Sequence, residues 1–279
     1  MSHDLTVIAH QVRRDIVRMV HGAASGHPGG SLGCTDLVVK LYFDRMHVVP
    51  EPFNMDGANE DLFFLSNGHI SPMWYSVLAR RGYFPVAELA TFRKLGTRLQ
   101  GHPATEEGLP GIRVASGSLG QGLSVALGAA QAKKLNGDDR TVFTLHGDGE
   151  LQEGQIWEAA MYAAHHRIDN VVSFVDSNGQ QIDGSTDDVM SLGDLEAKWK
   201  AFGWRVLTCN GHDFEDLGRV ISEADAARGS GIPTVVLMRT DMGRGVDFME
   251  GTHHWHGIAP NDEQLANALA QLPETLGDY

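Results

Sequence analysis

Five short apolar runs are spaced along the chain between amphipathic stretches several turns long, and this alternation restricts the fold more than any other feature. Leu62 to Leu65, Thr141 to Leu145, Asn170 to Val175, Arg205 to Thr208 and Thr234 to Met238 have the length and apolar content of strands. Apolar residues recurring at three and four predict helices over Leu5 to Ala24, Thr35 to Phe43, Ser71 to Arg81, Val86 to Lys94 and Gly120 to Leu135. The same spacing continues over Gln155 to His165, Leu192 to Phe202, Phe214 to Arg228 and Asn261 to Gln271. Strands separated by helices return by crossovers, so the expected class is α/β, with a mostly parallel sheet and helices on both faces. No repeat, low-complexity tract or Pro/Gly/Ser-rich linker divides the sequence, and a single domain over residues 1–279 is expected.

In such sheets the ligand lies beyond the carboxyl ends of the strands. Two strand ends stand out. The segment His146 to Glu153, "HGDGELQE", follows one strand, and Asp176 to Gly184, "DSNGQQIDG", follows the next. If those strands are neighbours, the Asp148 carboxylate and the Asn178 amide oxygen come together. Both are hard oxygen ligands suited to Mg2+ or Ca2+, and a magnesium site fills its remaining positions with water and phosphate oxygens. Gly149 then leaves room for a phosphate, and the start of the following helix offers it free N–H groups. Asp-Gly and Asn-Gly are also ordinary turn sequences, so neither half alone indicates a metal; the pair on consecutive strands does.

Formal net charge is −14 and is spread along the chain, which disfavours a nucleic-acid or anionic-membrane surface. The first residues carry charges throughout and lack an apolar signal core, and two distant cysteines suggest neither a disulfide framework nor zinc, so a cytoplasmic protein is expected. Of the 14 histidines, His10, His21, His165 and His166 fall in helical patterns and read as ordinary surface or core residues. His27, His69, His102 and His256 each adjoin glycine or proline in predicted loops, where binding residues concentrate and where imidazole can exchange protons near neutral pH. The run His253 to His256, "HHWH", matches no zinc spacing and is read as part of a loop.

Gly147-Asp148-Gly149 followed about thirty residues later by Asn178 resembles the thiamine diphosphate fingerprint. With "SGHPGGSLG", "LSNGHISPMWYS", "GHP", "GSLGQGLSVALGAA" and "WHG" in the same order, the chain resembles the transketolase family over almost its whole length. The resemblance implies the thiamine diphosphate-binding fold. It implies a metal held by Asp148, Asn178 and the backbone carbonyl of Gln180, with Gly149 and Asn178 at the cofactor diphosphate. His69 and His256 match family histidines on the diphosphate side, and Gly117, Ser118 and Leu119 match a loop whose backbone meets the cofactor. His102 matches a histidine near the reaction centre, His27 one that contacts the donor sugar, and Glu153 a buried acid at the subunit contact.

The resemblance also implies something outside this sequence. In full-length transketolases a glutamate of a pyrimidine-binding domain activates the cofactor, and a further C-terminal domain follows; this chain ends at Tyr279, soon after the last matching block. The expectation is the N-terminal subunit of a split transketolase, or a fragment of a longer chain. Its partner would be a C-terminal subunit carrying the pyrimidine-binding domain, in an assembly of two copies of each. The expected reaction moves a two-carbon ketol unit from a ketose to an aldose. A deoxyxylulose phosphate synthase-like enzyme and a non-catalytic cofactor-binding protein are the alternatives.

Overall fold

The computed structural model describes residues 4–279; residues 1–3, the start of the expected single domain, lie outside the described residues. Asp4 caps the first helix, α1 (Leu5–Gly22), by accepting from the N–H groups of Thr6 and Val7. Two short helices follow, α2 (Pro28–Gly33) and α3 (Thr35–Lys40), the latter running into a π-turn at Leu41–Arg45. Strand β1 (Leu62–Leu65) leads to α4 (Ser71–Arg81), and α5 (Gln121–Leu135) to β2 (Val142–Gly147). Next come α6 (Gly154–His165), β3 (Val171–Ser177) and a small antiparallel hairpin of β4 (Gln180–Gln181) and β5 (Gly184–Ser185). The chain continues through α7 (Thr186–Met190), α8 (Leu195–Ala201), β6 (Arg205–Asn210), α9 (Phe214–Ala226), β7 (Thr234–Arg239) and α10 (Asp262–Gln271).

The five long strands form one parallel sheet in the order β1-β2-β3-β7-β6. Alternation along each strand builds a core on either face. Phe63, Leu65, Phe143, Leu145, Val172 and Phe174 point into one, with α1, α3, α4 and α9. Leu62, Phe64, Val142, Val171 and Val175 point into the other, with α5, α6 and the indoles of Trp199 and Trp204. Each such side chain contributes about 1.5–3 kcal/mol on burial, which anchors the strands from both sides. Polar residues are thereby concentrated at the strand ends, where register sets Gly147 beside Asp176 and Asp176 beside Met238.

Several elements differ from expectation. β2 and β3 run two residues further at their carboxyl ends, which brings His146 and Gly147 of β2, and Asp176 and Ser177 of β3, into the sheet. The expected helix at Val86 to Lys94 is a 3-10 helix over Val86–Thr91, and α3 stops as an α-helix at Lys40. Helix α8 starts only at Leu195, because the Asp194 carboxylate caps it by accepting from the Ala197 N–H at 2.9 Å. Among the described residues no helix is long and apolar enough to cross a membrane.

Candidate active site

The tips of β2 and β3 meet. The Asp148 N–H donates to the Asp176 carbonyl at 3.2 Å, and Asp148 Oδ2 accepts from the Gly179 N–H at 2.6 Å. Asn178 sits at the same tip: its amide nitrogen donates to Asp176 Oδ2 at 2.8 Å and its Oδ1 accepts from the Gln180 N–H at 2.8 Å. The two oxygen ligands expected from sequence therefore share one corner of the sheet edge, and Gln180 follows them into β4. The Gly149 N–H is not free for a ligand, since it donates to Asp148 Oδ1 at 2.8 Å; a 3-10 turn at Gly149–Gln152 separates it from α6. A Cβ on Gly149 would lie 2.9 Å from the Gln181 Cβ, so glycine here lets the hairpin approach.

These tips form one wall of a cavity of about 370 Å³, and three of the four loop histidines meet across from them. The His27 ring lies 5.0 Å from His69 and 5.6 Å from His256, and His69 lies 5.1 Å from His256. His102 stands at the mouth, 6.5 Å from His27. Gly117 and Leu119 line the cavity as expected; Ser118, between them, is exposed and does not. Glu153 is on the rim and exposed within this chain. Of "HHWH" only His256 reaches the cavity, while His253 and His254 lie beside each other on the preceding 3-10 turn. His165 and His166 are exposed, and His21 pairs with Asp262 at 2.8 Å. Asn67, Asp176, Glu150 and Met242 also line the cavity and were not anticipated. The polar break at the end of "VVSFVD" was the available signal for Asp176; Met242 had none.

Charge within the cavity is unevenly arranged. Burial pushes the Asp148 carboxyl up to about 7, helped by the neighbouring Asp176, and burial raises Asp176 as well. On the other wall, burial lowers His27 to about 4, with His256, Arg93 and His102 adding to the effect. His69 falls well below its ordinary value through burial and His256; His102 falls through burial and Arg93, and His256 through burial and His253. Near neutral pH the four imidazoles are neutral, each with one donor and one acceptor nitrogen.

The chain's residues 5–274 match the family model described as transketolase, thiamine diphosphate binding domain. The chain belongs to the transketolase family. It is 38% identical over 264 residues to an apulose-4-phosphate transketolase subunit of Phocaeicola vulgatus, covering 95% of this chain and 92% of that one. It is 38% identical over 269 residues to 6-deoxy-6-sulfo-D-fructose transketolase subunit SqwG of Clostridium sp., covering 96% of each. Among solved structures it superposes on transketolase from Leishmania mexicana with TM-score 0.90 and 31% identity, covering 98% of this chain and 42% of that one. The chain thus spans about two fifths of the solved transketolases it matches.

Unpaired groups in this transketolase-family site fit a diphosphate held through a divalent cation. Three buried carboxyl groups, Asp148, Glu150 and Asp176, line a cavity that has no lysine or arginine among the described residues, and a cation at the sheet corner would relieve the Asp148–Asp176 pair. In the same cavity the Nδ1 atoms of His27 and His256 are buried without partners, as is Asn67 Oδ1. Among the described residues no three His, Cys, Asp or Glu side chains are grouped so that they could hold a metal ion by themselves, and the donors available at the corner are carboxylate, amide and backbone carbonyl oxygens. Such a set suits magnesium or calcium better than a soft metal.

Proposed function

We propose that this chain, residues 1–279 acting as one domain, is the N-terminal subunit of a cytoplasmic two-chain transketolase. With a C-terminal partner carrying the pyrimidine-binding domain, in an assembly of two copies of each, it moves a two-carbon ketol unit from a ketose to an aldose. The observation that carries the reading is the single corner formed by Asp148, Gly179 and Asn178, facing His69 and His256 across one cavity. Relatives of the same length are named as transketolase subunits, which supports the need for a partner, and their names favour neither a deoxyxylulose phosphate synthase-like reaction nor a non-catalytic role.

When bound, thiamine diphosphate supplies the nucleophilic carbon and the electron sink for carbon-carbon cleavage. The chain's residues do the rest. Asp148, Asn178 and the Gln180 carbonyl hold Mg2+ or Ca2+. Asn178, His69, His256 and the Gly117-Ser118-Leu119 backbone hold the diphosphate, and Gly149, whose N–H is taken by Asp148, lies beside it with no side chain in the way. His27, His102 and His256 present neutral imidazoles to sugar hydroxyl groups, where they accept and return protons. Phosphate or other terminal groups of the sugar fall to the partner.

The test is co-purification of the chain with its partner from the native source, followed by a ketose-aldose transfer assay of each chain alone and of the complex. Transfer is expected from the complex with thiamine diphosphate and Mg2+, and little from this chain alone. Full transfer by the single chain, or none by the complex, refutes the reading.

A further inference from the structure

Glu150 lies two residues beyond Asp148 and is 2% exposed; among the described residues no lysine or arginine pairs with it, and the His146 ring lies nearby, Nδ1 at 3.7 Å from Oε2. Its two carboxylate oxygens take donors from three separate segments. Gly120 N–H donates to Oε1 at 2.8 Å, Gly147 N–H donates to Oε2 at 3.1 Å, and the Ser66 hydroxyl makes a short bond to Oε1. Ser66 Oγ in turn accepts from the Gly122 N–H at 3.1 Å, which ties in the first turn of α5.

Each of these segments leads directly into the cavity wall. Ser66 precedes Asn67 and His69, Gly147 precedes Asp148, and Gly120 follows Gly117 and Leu119. The chemistry of the side chain matters because all the partners are donors. A carboxylate accepts at both oxygens, whereas an amide of the same shape presents a donating nitrogen to at least one of them. Burial opposes the charge, but His146, Ser66 and Gly120 together hold the carboxyl below its ordinary value. A buried group that gathers donors so completely fixes the spacing of the segments that supply them.

We propose that Glu150 is a positioning residue for cofactor binding: its carboxylate locks the exits of β1 and β2 and the entrance of α5 into the spacing that a thiamine diphosphate-metal complex requires. The inference rests on the function proposed above. Its closing experiment uses the chain assembled with its partner, titrated calorimetrically with thiamine diphosphate and Mg2+ below the thermal midpoint of each variant. Glu150→Gln is expected to weaken binding about tenfold or more, the scale of one buried charged hydrogen bond lost, and to speed amide exchange at Gly120 and Gly147. Ser66→Ala, which removes one link and leaves the two N–H bonds, is expected to weaken binding less.

Asp15→Asn serves as the structural control. Asp15 is buried and bonded to Arg80 and Ser76, and does not line the cavity. It is expected to lower the thermal midpoint and leave cofactor affinity unchanged. Affinity in Glu150→Gln within twofold of wild type, or a loss that Asp15→Asn matches, overturns the proposal. Should Glu150→Gln fail to fold, unchanged affinity in Ser66→Ala overturns it instead. A wild-type complex that binds no cofactor defeats the proposed function itself, before any variant is made.

Discussion

The Gly179 N–H donates to Asp148 Oδ2 at 2.6 Å, and this one bond joins the loop after β3 to the loop after β2. It aligns the carboxylate with the neighbouring Asn178 amide and leaves Asp148 close to Asp176, a like charge in a buried corner. A divalent cation converts that repulsion into attraction. Asp148→Ala is therefore expected to abolish magnesium-dependent binding of thiamine diphosphate, and chelation of the metal to do the same in the wild type. Calorimetry with and without Mg2+ checks both; unchanged affinity in the variant removes Asp148 from the metal site.

His27 adjoins the two diphosphate-side histidines and also faces His102. It sits between His69 and His256 on one side and His102 at the mouth on the other, with Nδ1 buried and unpartnered. Removal of a positioned proton-exchanging group costs about 10²–10⁴-fold in rate. For His27→Ala in the assembled enzyme, kcat/KM should fall on that scale while cofactor affinity stays within a few-fold. A loss of cofactor binding instead would move His27 to the diphosphate side.

The sheet and the corner where Asp148 meets Asn178 were legible in sequence because each depends on local pattern: apolar runs for the strands, polar turn residues at their ends for the two oxygen ligands. What was hidden depends on contacts between distant segments. Helix α2 lies in a glycine-rich stretch of poor helical propensity, and tertiary packing holds it, including the Gly243 N–H donating to the Gly29 carbonyl at 2.9 Å. Met242 enters the cavity from that same contact. Glu150 read as part of the Asp148 turn, since nothing in "GDGELQEG" reveals that Ser66 and Gly120 fold back onto it.

The lowered pKa of His27 predicts a pH effect of definite sign. Its folded value of about 4 lies below the unfolded value near 6.5, so the unfolded chain takes up the proton first as pH falls. The contribution of His27 to stability is fully present above about pH 6.5 and is lost progressively down to about pH 4. Buried Asp148 works in the opposite direction over part of this range, so the difference between wild type and His27→Gln is the quantity to measure. In urea unfolding, that difference should be flat above about pH 6.5, move against the wild type as pH falls, and flatten again below about 4. A difference independent of pH would mean that His27 titrates normally in the folded protein.

Two glycines of α5 separate close packing from helix propensity. A Cβ on Gly122 would lie 2.3 Å from Ser66 Oγ and 2.7 Å from the Ser66 backbone Cα, and backbone cannot swing aside as a flexible side chain can. A Cβ on Gly128, two turns further on, meets nothing within 4 Å. Alanine is favoured over glycine inside a helix by about 1 kcal/mol, whereas overpacking costs about 1–3 kcal/mol. Gly122→Ala should thus lower the unfolding free energy of the chain in urea, and Gly128→Ala should raise it by up to about 1 kcal/mol. Equal effects at the two positions would show that Ser66 does not press against α5 as tightly as these distances require.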